Sequence, residues 1–165
     1  MSSKDFFKDK KVLVVDDEPD VLSTITEMLD SCEVHTATNF ESGLQMILNN
    51  HYDAVILDIM GVNGFELLKN SDMRGFPTIM LTAYQVNPEA LKNSIDMGAV
   101  AFLPKELIVE LKELLQEIFR GGGKRLWWLK SLEKTGPYFD HKFGSGWKEQ
   151  NQIFKEFAKS KESNS

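Results

Sequence analysis

Hydrophobic positions along the chain switch repeatedly between two periods. Short apolar runs rich in β-branched residues stand at Lys11 to Val15 (KVLVV), Ala54 to Leu57 (AVIL), Thr78 to Leu81 (TIML) and Ala101 to Leu103 (AFL), and each predicts a buried strand. Glu33 to Ala37 (EVHTA) alternates polar and apolar positions and predicts a fifth strand nearer a sheet edge. Between these runs the spacing becomes helical: Val21, Leu22, Ile25, Met28 and Leu29, then Leu44, Ile47 and Leu48, then Phe65, Leu67 and Leu68, then Ala90, Leu91 and Ile95. The clearest stripe is Leu107, Leu111, Leu114, Leu115 and Ile118, which predicts a helix from about Glu106 to Phe119. Pro19 and Pro88 stand where first helical turns belong, and Asn39 and Asn87 are candidate caps.

Strands joined by helices must run parallel, with right-handed crossovers and helices on both sheet faces. The pattern therefore predicts an α/β fold, a doubly wound five-stranded parallel sheet of (βα)5 type. In such a sheet the ligand crevice lies beyond the carboxyl ends of the strands, where the strand order reverses.

Composition adds a second segment to this picture. The chain has 165 residues, 42% hydrophobic and 27% charged, as expected of a packed fold with sequence to spare beyond one core. Its net charge of −6 is unevenly distributed: residues 1–120 hold ten basic and twenty acidic side chains, residues 121–165 nine and five. The break falls at Gly121, Gly122 and Gly123, read as a helix stop followed by a flexible joint. The overall acidity disfavours a nucleic-acid partner. No stretch reaches the roughly 18 apolar residues of a membrane span, and the opening MSSKDFFKDK lacks the apolar core of a secretory signal, so the expected location is cytoplasmic with no membrane partner. A single cysteine, Cys32, excludes an intrachain disulfide, and the widely separated His35, His51 and His141 have no metal-ligand spacing.

The chemistry gathers at the predicted strand ends. Strand one ends in Asp16 and Asp17, strand three in Asp58, strand four in Thr82, and strand five runs through Pro104 into Lys105. Carboxylates brought together repel one another, and oxygen donors of this kind suit Mg²⁺. A hydroxyl and a lysine opposite them suit phosphoryl oxygens, which points to phosphoryl transfer onto a carboxylate. Singly, each residue has a plainer reading: Asp16 and Asp17 as helix caps, Asp58 in a turn, Thr82 in a loop, Lys105 as a solvated charge.

Four segments in order, VLVVDDEPD (Val12 to Asp20), AVILDIMGVNGFELL (Ala54 to Leu68), TIMLTAY (Thr78 to Tyr84) and GAVAFLPKEL (Gly98 to Leu107), resemble a bacterial two-component response-regulator receiver domain over residues Lys10 to about Phe119. The resemblance implies strand order 2-1-3-4-5 and a receiver over 1–120; it leaves 121–165 as an aromatic, basic, helical extension in which the residues show no recognisable DNA-binding domain. It implies that Asp58 accepts a phosphoryl group from a sensor histidine kinase or phosphotransfer protein. Asp17, Asp58 and the Met60 backbone carbonyl would hold Mg²⁺, with Asp16 acting through water, and Thr82 and Lys105 would stabilise the acyl phosphate. Thr82 and Phe102 would form the conformational switch. Such a protein is a phosphoacceptor rather than an enzyme. Its outputs would be a downstream protein target or a homodimer formed through the last two receiver helices and the tail.

Three departures from the family pattern stand out. The loop after Asp58 reaches Gly64 about two residues early, which predicts a shifted or short helix after strand three. Glu106 stands where the family commonly has proline, so Lys105 requires either a cis bond to Glu106 or a different presentation. Met60 and Tyr84, neither of them a carboxylate, flank the expected phosphoryl position, which predicts slow self-hydrolysis. The rival readings are an Asp-nucleophile phosphatase, disfavoured because Met60 replaces the second carboxylate of Asp-x-Asp, and a non-phosphorylated receiver-like binding module.

All three tryptophans lie in residues 121–165. Leu126, Leu129 and Leu132 predict one short helix ending at a Gly136–Pro137 break, and Trp147, Asn151, Phe154 and Phe157 predict another. The aromatics are expected to fold back on the receiver, pair between protomers or dock another protein.

Overall fold

The computed structural model describes residues 4–83 and 87–144. Five parallel strands, β1 (Lys11–Val15), β2 (Glu33–Ala37), β3 (Ala54–Asp58), β4 (Thr78–Thr82) and β5 (Ala101–Pro104), form one sheet in the order β2-β1-β3-β4-β5. The helices are α1 (Lys4–Phe7), α2 (Pro19–Met28), α3 (Phe40–Asn49), α4 (Gly64–Met73), α5 (Pro88–Asp96), α6 (Leu111–Arg120) and α7 (Lys124–Phe143). Side chains alternate across each strand. Leu13, Val15, Val55, Leu57, Met80 and Phe102 join the core shared with α3, α4 and α5. Val14, Ile56, Ile79, Leu81 and Leu103 join the opposite core with α2 and α6. The inner strands β3 and β4 are buried at every position because helices cover both faces, whereas the edge strand β2 is largely half-exposed.

The expected caps are in place. The Asn39 side chain accepts from the Ser42 N–H at 2.9 Å and that of Asn87 from the Ala90 N–H at 2.8 Å, while Pro19 and Pro88 open their helices. The helix after β3 keeps its full ten residues despite the early glycine, because Asn63 takes a left-handed conformation (φ 54°) and Gly64 starts the helix directly.

Two helix expectations need correction, and one element was not foreseen. The predicted helix over 106–119 is an α-helix only from Leu111; Lys105–Glu110 form a 3-10 turn in which Leu107 has non-helical angles. The apolar stripe misleads there because Leu107 still packs on the core while the backbone turns away from β5. The tail does not break at Gly136–Pro137: α7 is one helix through both residues. Interior glycine and proline disfavour a helix by roughly 1 and 3 kcal/mol, so tertiary packing must offset that cost. The buried stripe Trp128, Ser131, Thr135 and Phe139 supplies the packing. The second tail helix expected around Trp147 to Phe157 lies outside the described residues. The unforeseen element is α1, whose Phe7 is buried edge-on against Phe119 at 5.6 Å.

Gly121, Gly122 and Gly123 all have positive φ and turn the chain back on itself, so that α7 lies against α6 and β5. Trp128 is 2% exposed, and its indole N–H donates to the Ala99 carbonyl at 2.6 Å. No helix among the described residues is long and apolar enough to cross a membrane. Trp128→Phe, which keeps an aromatic ring but leaves the Ala99 carbonyl without its donor, is expected to lower stability by about 1–3 kcal/mol in urea unfolding. An unchanged midpoint would show that the Trp128–Ala99 hydrogen bond adds nothing to stability.

Candidate functional site

Parallel strands carry their carboxyl ends to one rim, and the order reverses between β1 and β3. At that point Asp16 and Asp17 leave β1, Asp58 closes β3, and Lys105 arrives from β5. They surround an open cleft of about 250 Å³ lined by Asp17, Glu18, Asp58, Met60, Gly61, Ala83 and Lys105.

Lys105 is the hub. Its Nζ lies 2.8 Å from Asp16 Oδ2, 3.3 Å from Glu18 Oε1 and 3.4 Å from Asp58 Oδ1. Asp16 is 0% exposed, and its other oxygen accepts the Glu18 N–H at 2.8 Å. Burial pushes the Asp16 carboxyl above the ordinary carboxylate range and Asp58 adds repulsion, while the hydrogen bonds from Lys105 and Glu18 oppose the rise. For Lys105, burial opposes the charge, but its hydrogen bond to Asp16 and the fields of Asp16, Asp58 and Glu18 together raise its pKa above the ordinary lysine value. One ammonium therefore faces several carboxylates.

Oxygens of Asp16, Asp17 and Glu18 lie within 4.8 Å of one another. An all-carboxylate donor set of this kind suits a hard divalent cation. Two glycines let the chain close around it. The Gly61 N–H donates to Asp58 Oδ2 at 3.2 Å, and a Cβ there would stand 2.3 Å from Asp17 Cγ. A Cβ on Gly64 would fall 2.1 Å from the Asp58 carbonyl oxygen.

The remaining predicted residues are distributed as follows. Met60 lines the cleft and is 61% exposed, and its carbonyl accepts from the Asn63 N–H at 3.5 Å. Thr82 is buried at the end of β4, in register with Pro104, while its neighbour Ala83 lines the cleft. Phe102 is away from the cleft, 1% exposed, paired in register with Met80 and 6.0 Å ring to ring from Phe139. No peptide bond among the described residues is cis, so Lys105 is presented in the second of the two expected ways. Tyr84 lies outside the described residues. Sequence reasoning passed over Glu18 as a partner of Lys105, although its adjacency to the paired aspartates was a signal. It also passed over the contact of Gly61 with two carboxylates.

An open parallel sheet with an acidic cleft and a lysine at its switch point defines a receiver-like α/β domain. The chain matches the family described as response regulator receiver domain over residues 12–119 and belongs to that family. Heme response regulator HssR of Staphylococcus epidermidis is 34% identical over 113 residues, covering 63% of this chain and 50% of that protein. The chain thus spans about half the length of that curated relative. Two-component response regulator ARR2 of Arabidopsis thaliana is 33% identical over 147 residues, 84% of this chain and 22% of that protein. Among solved structures, the CheY-like receiver domain protein of Methanospirillum hungatei is 30% identical with a TM-score of 0.58, covering 70% of this chain and all of that one (100%). The Francisella response regulator 1452 receiver domain shares the fold with a TM-score of 0.61 at 24% identity, covering 68% of this chain and 98% of that one.

Gly64→Ala is expected to displace the Asp58 backbone, because the new methyl group meets backbone rather than a movable side chain. The expected cost is about 1–3 kcal/mol of stability in urea unfolding. An unchanged transition would mean that the β3–α4 turn has room the structure does not show.

Proposed function

We propose that this chain is the phosphoacceptor of a two-component relay, with Asp58 receiving a phosphoryl group from a sensor histidine kinase or phosphotransfer protein. The observation that carries this reading is the Lys105 ammonium 3.4 Å from Asp58 in an open cleft that also contains Asp17 and Glu18. In the transfer, a carboxylate oxygen of Asp58 forms the new P–O bond as the P–N bond to the donor imidazole breaks and the nitrogen keeps the electron pair. Asp17, Asp58 and the Met60 carbonyl would hold Mg²⁺, with Asp16 acting through water. When bound, the ion supplies charge that relieves carboxylate repulsion and favours phosphoryl oxygens. Lys105 and the Thr82 hydroxyl hold the acyl phosphate, and Thr82 and Phe102 relay its presence away from the cleft.

On this reading residues 1–120 form the receiver and 121–165 its extension. The protein works in the cytoplasm and assists its own phosphorylation without turning over a separate substrate. Its output is contact with a downstream protein, or with a second copy, through α5, α6 and the tail. The phosphatase alternative has little support, since the exposed Met60 side chain stands where a second carboxylate would serve as acid and base.

Intact mass measured after incubation with Mg²⁺ and acetyl phosphate should show a single phosphoryl adduct. The adduct should be absent in Asp58→Asn and absent when EDTA removes Mg²⁺. Steady phosphate release would support the phosphatase instead, and no adduct from small donors or kinases would support a binding module. Once formed, the adduct should persist for minutes or longer, because Met60 offers no base to orient water. A half-life of seconds would contradict that expectation.

A further inference from the structure

The tail helix α7 grips the segment that carries Lys105. Phe139 packs its ring 6.0 Å from that of Phe102, three residues before the lysine, and stacks on Phe143 at 5.4 Å. The Tyr138 hydroxyl donates to Glu106, the residue next to the lysine, at 3.2 Å. One turn earlier, Lys134 pairs with Glu110 at 3.5 Å and with Glu113. Trp128 anchors the near end of α7 to the Ala99 carbonyl just before β5, and Lys124 holds Asp72 at 2.9 Å. Docked, α7 therefore spans the stretch from just before β5 to the start of α6.

The helix is poorly suited to stand alone. Gly136 and Pro137 lie in its interior, and among the described residues its buried stripe packs on the receiver. Its stability as a helix therefore depends on its contacts with the receiver, among them those with the 102–113 segment.

We infer that α7 is a positioning element of the phosphoryl site, holding Phe102 and the Lys105 backbone in place, so that α7 docking and occupancy of Asp58 strengthen each other. This rests on the reading of Asp58 as phosphoacceptor. Two geometric links carry it. Phe139 lies against the ring of Phe102, so a movement of Phe102 meets α7 directly, and the Tyr138 hydroxyl ties the helix to the Glu106 carboxylate next to Lys105. Phosphorylation captures the tail rather than freeing it, because the docked chain is the one in which Phe102 is already buried and Lys105 stands at the cleft, 3.4 Å from Asp58. By linkage the coupling must be reciprocal.

Beryllofluoride with Mg²⁺, a stand-in for the phosphoryl group, tests this on the full chain. Phe139→Ala should weaken beryllofluoride binding by about 5-fold or more, the lower end of ordinary coupling between sites. Phe139→Leu should recover part of the loss. Tyr138→Phe, which removes one hydroxyl and leaves the packing intact, should move binding in the same direction and carries the test if Phe139→Ala fails to fold. In the native chain, saturating beryllofluoride should slow hydrogen exchange in α7, and Asp58→Asn should abolish that slowing, an effect no purely structural role of the helix would produce. Native-like binding by both Phe139→Ala and Tyr138→Phe, or faster α7 exchange on binding, overturns the inference alone. Absence of any binding by the native chain overturns the phosphoacceptor reading and this inference with it.

Discussion

Like charges crowded against one lysine are the constraint on which the rest of the structure depends. Parallel strands bring Asp16, Asp17 and Asp58 to one rim, Glu18 follows from the next residue, and Lys105 pairs with Asp16, Glu18 and Asp58. The fold keeps this arrangement because the hydrophobic cores on both faces of the sheet hold the strand ends rigidly. The Lys105 ammonium offsets part of that repulsion, and the carboxylate oxygens beside it are donors of the kind that suit a hard divalent cation.

Much of this was legible in the sequence, for reasons that can be stated residue by residue. The runs KVLVV and TIML are too short and too uniformly apolar to be surface elements, and parallel connection then dictates where their ends lie. Asp58 and Lys105, far apart along the chain, could be brought together on paper by that rule alone. Tertiary effects were harder to see. The 3-10 turn after β5 escaped because Leu107 keeps helical spacing while its backbone departs from it. The continuous α7 escaped because glycine and proline are local signals against a helix, whereas Trp128 and Phe139 find their partners on β5 and the loop before it. Short α1 has too few residues to show any period at all.

The tail changes how the receiver should be pictured. Lys124–Phe143, just past the triple glycine, form a helix that completes one hydrophobic core and supplies lysines to the acidic surface. The opposite net charges of the two segments favour this docking, and the aromatic stripe gives it direction. With α7 across it, the last strand of the sheet is covered by the protein's own chain.

Calorimetric titration of Mg²⁺ into the metal-free native chain, Asp17→Asn, Asp58→Asn and Lys105→Met tests the central claim most directly. The account predicts one Mg²⁺ bound by the native chain, binding lost or severely weakened in both aspartate variants, and tighter binding once the competing lysine charge is removed. Mg²⁺ affinity indifferent to these three residues, or no binding by the native chain, would contradict it.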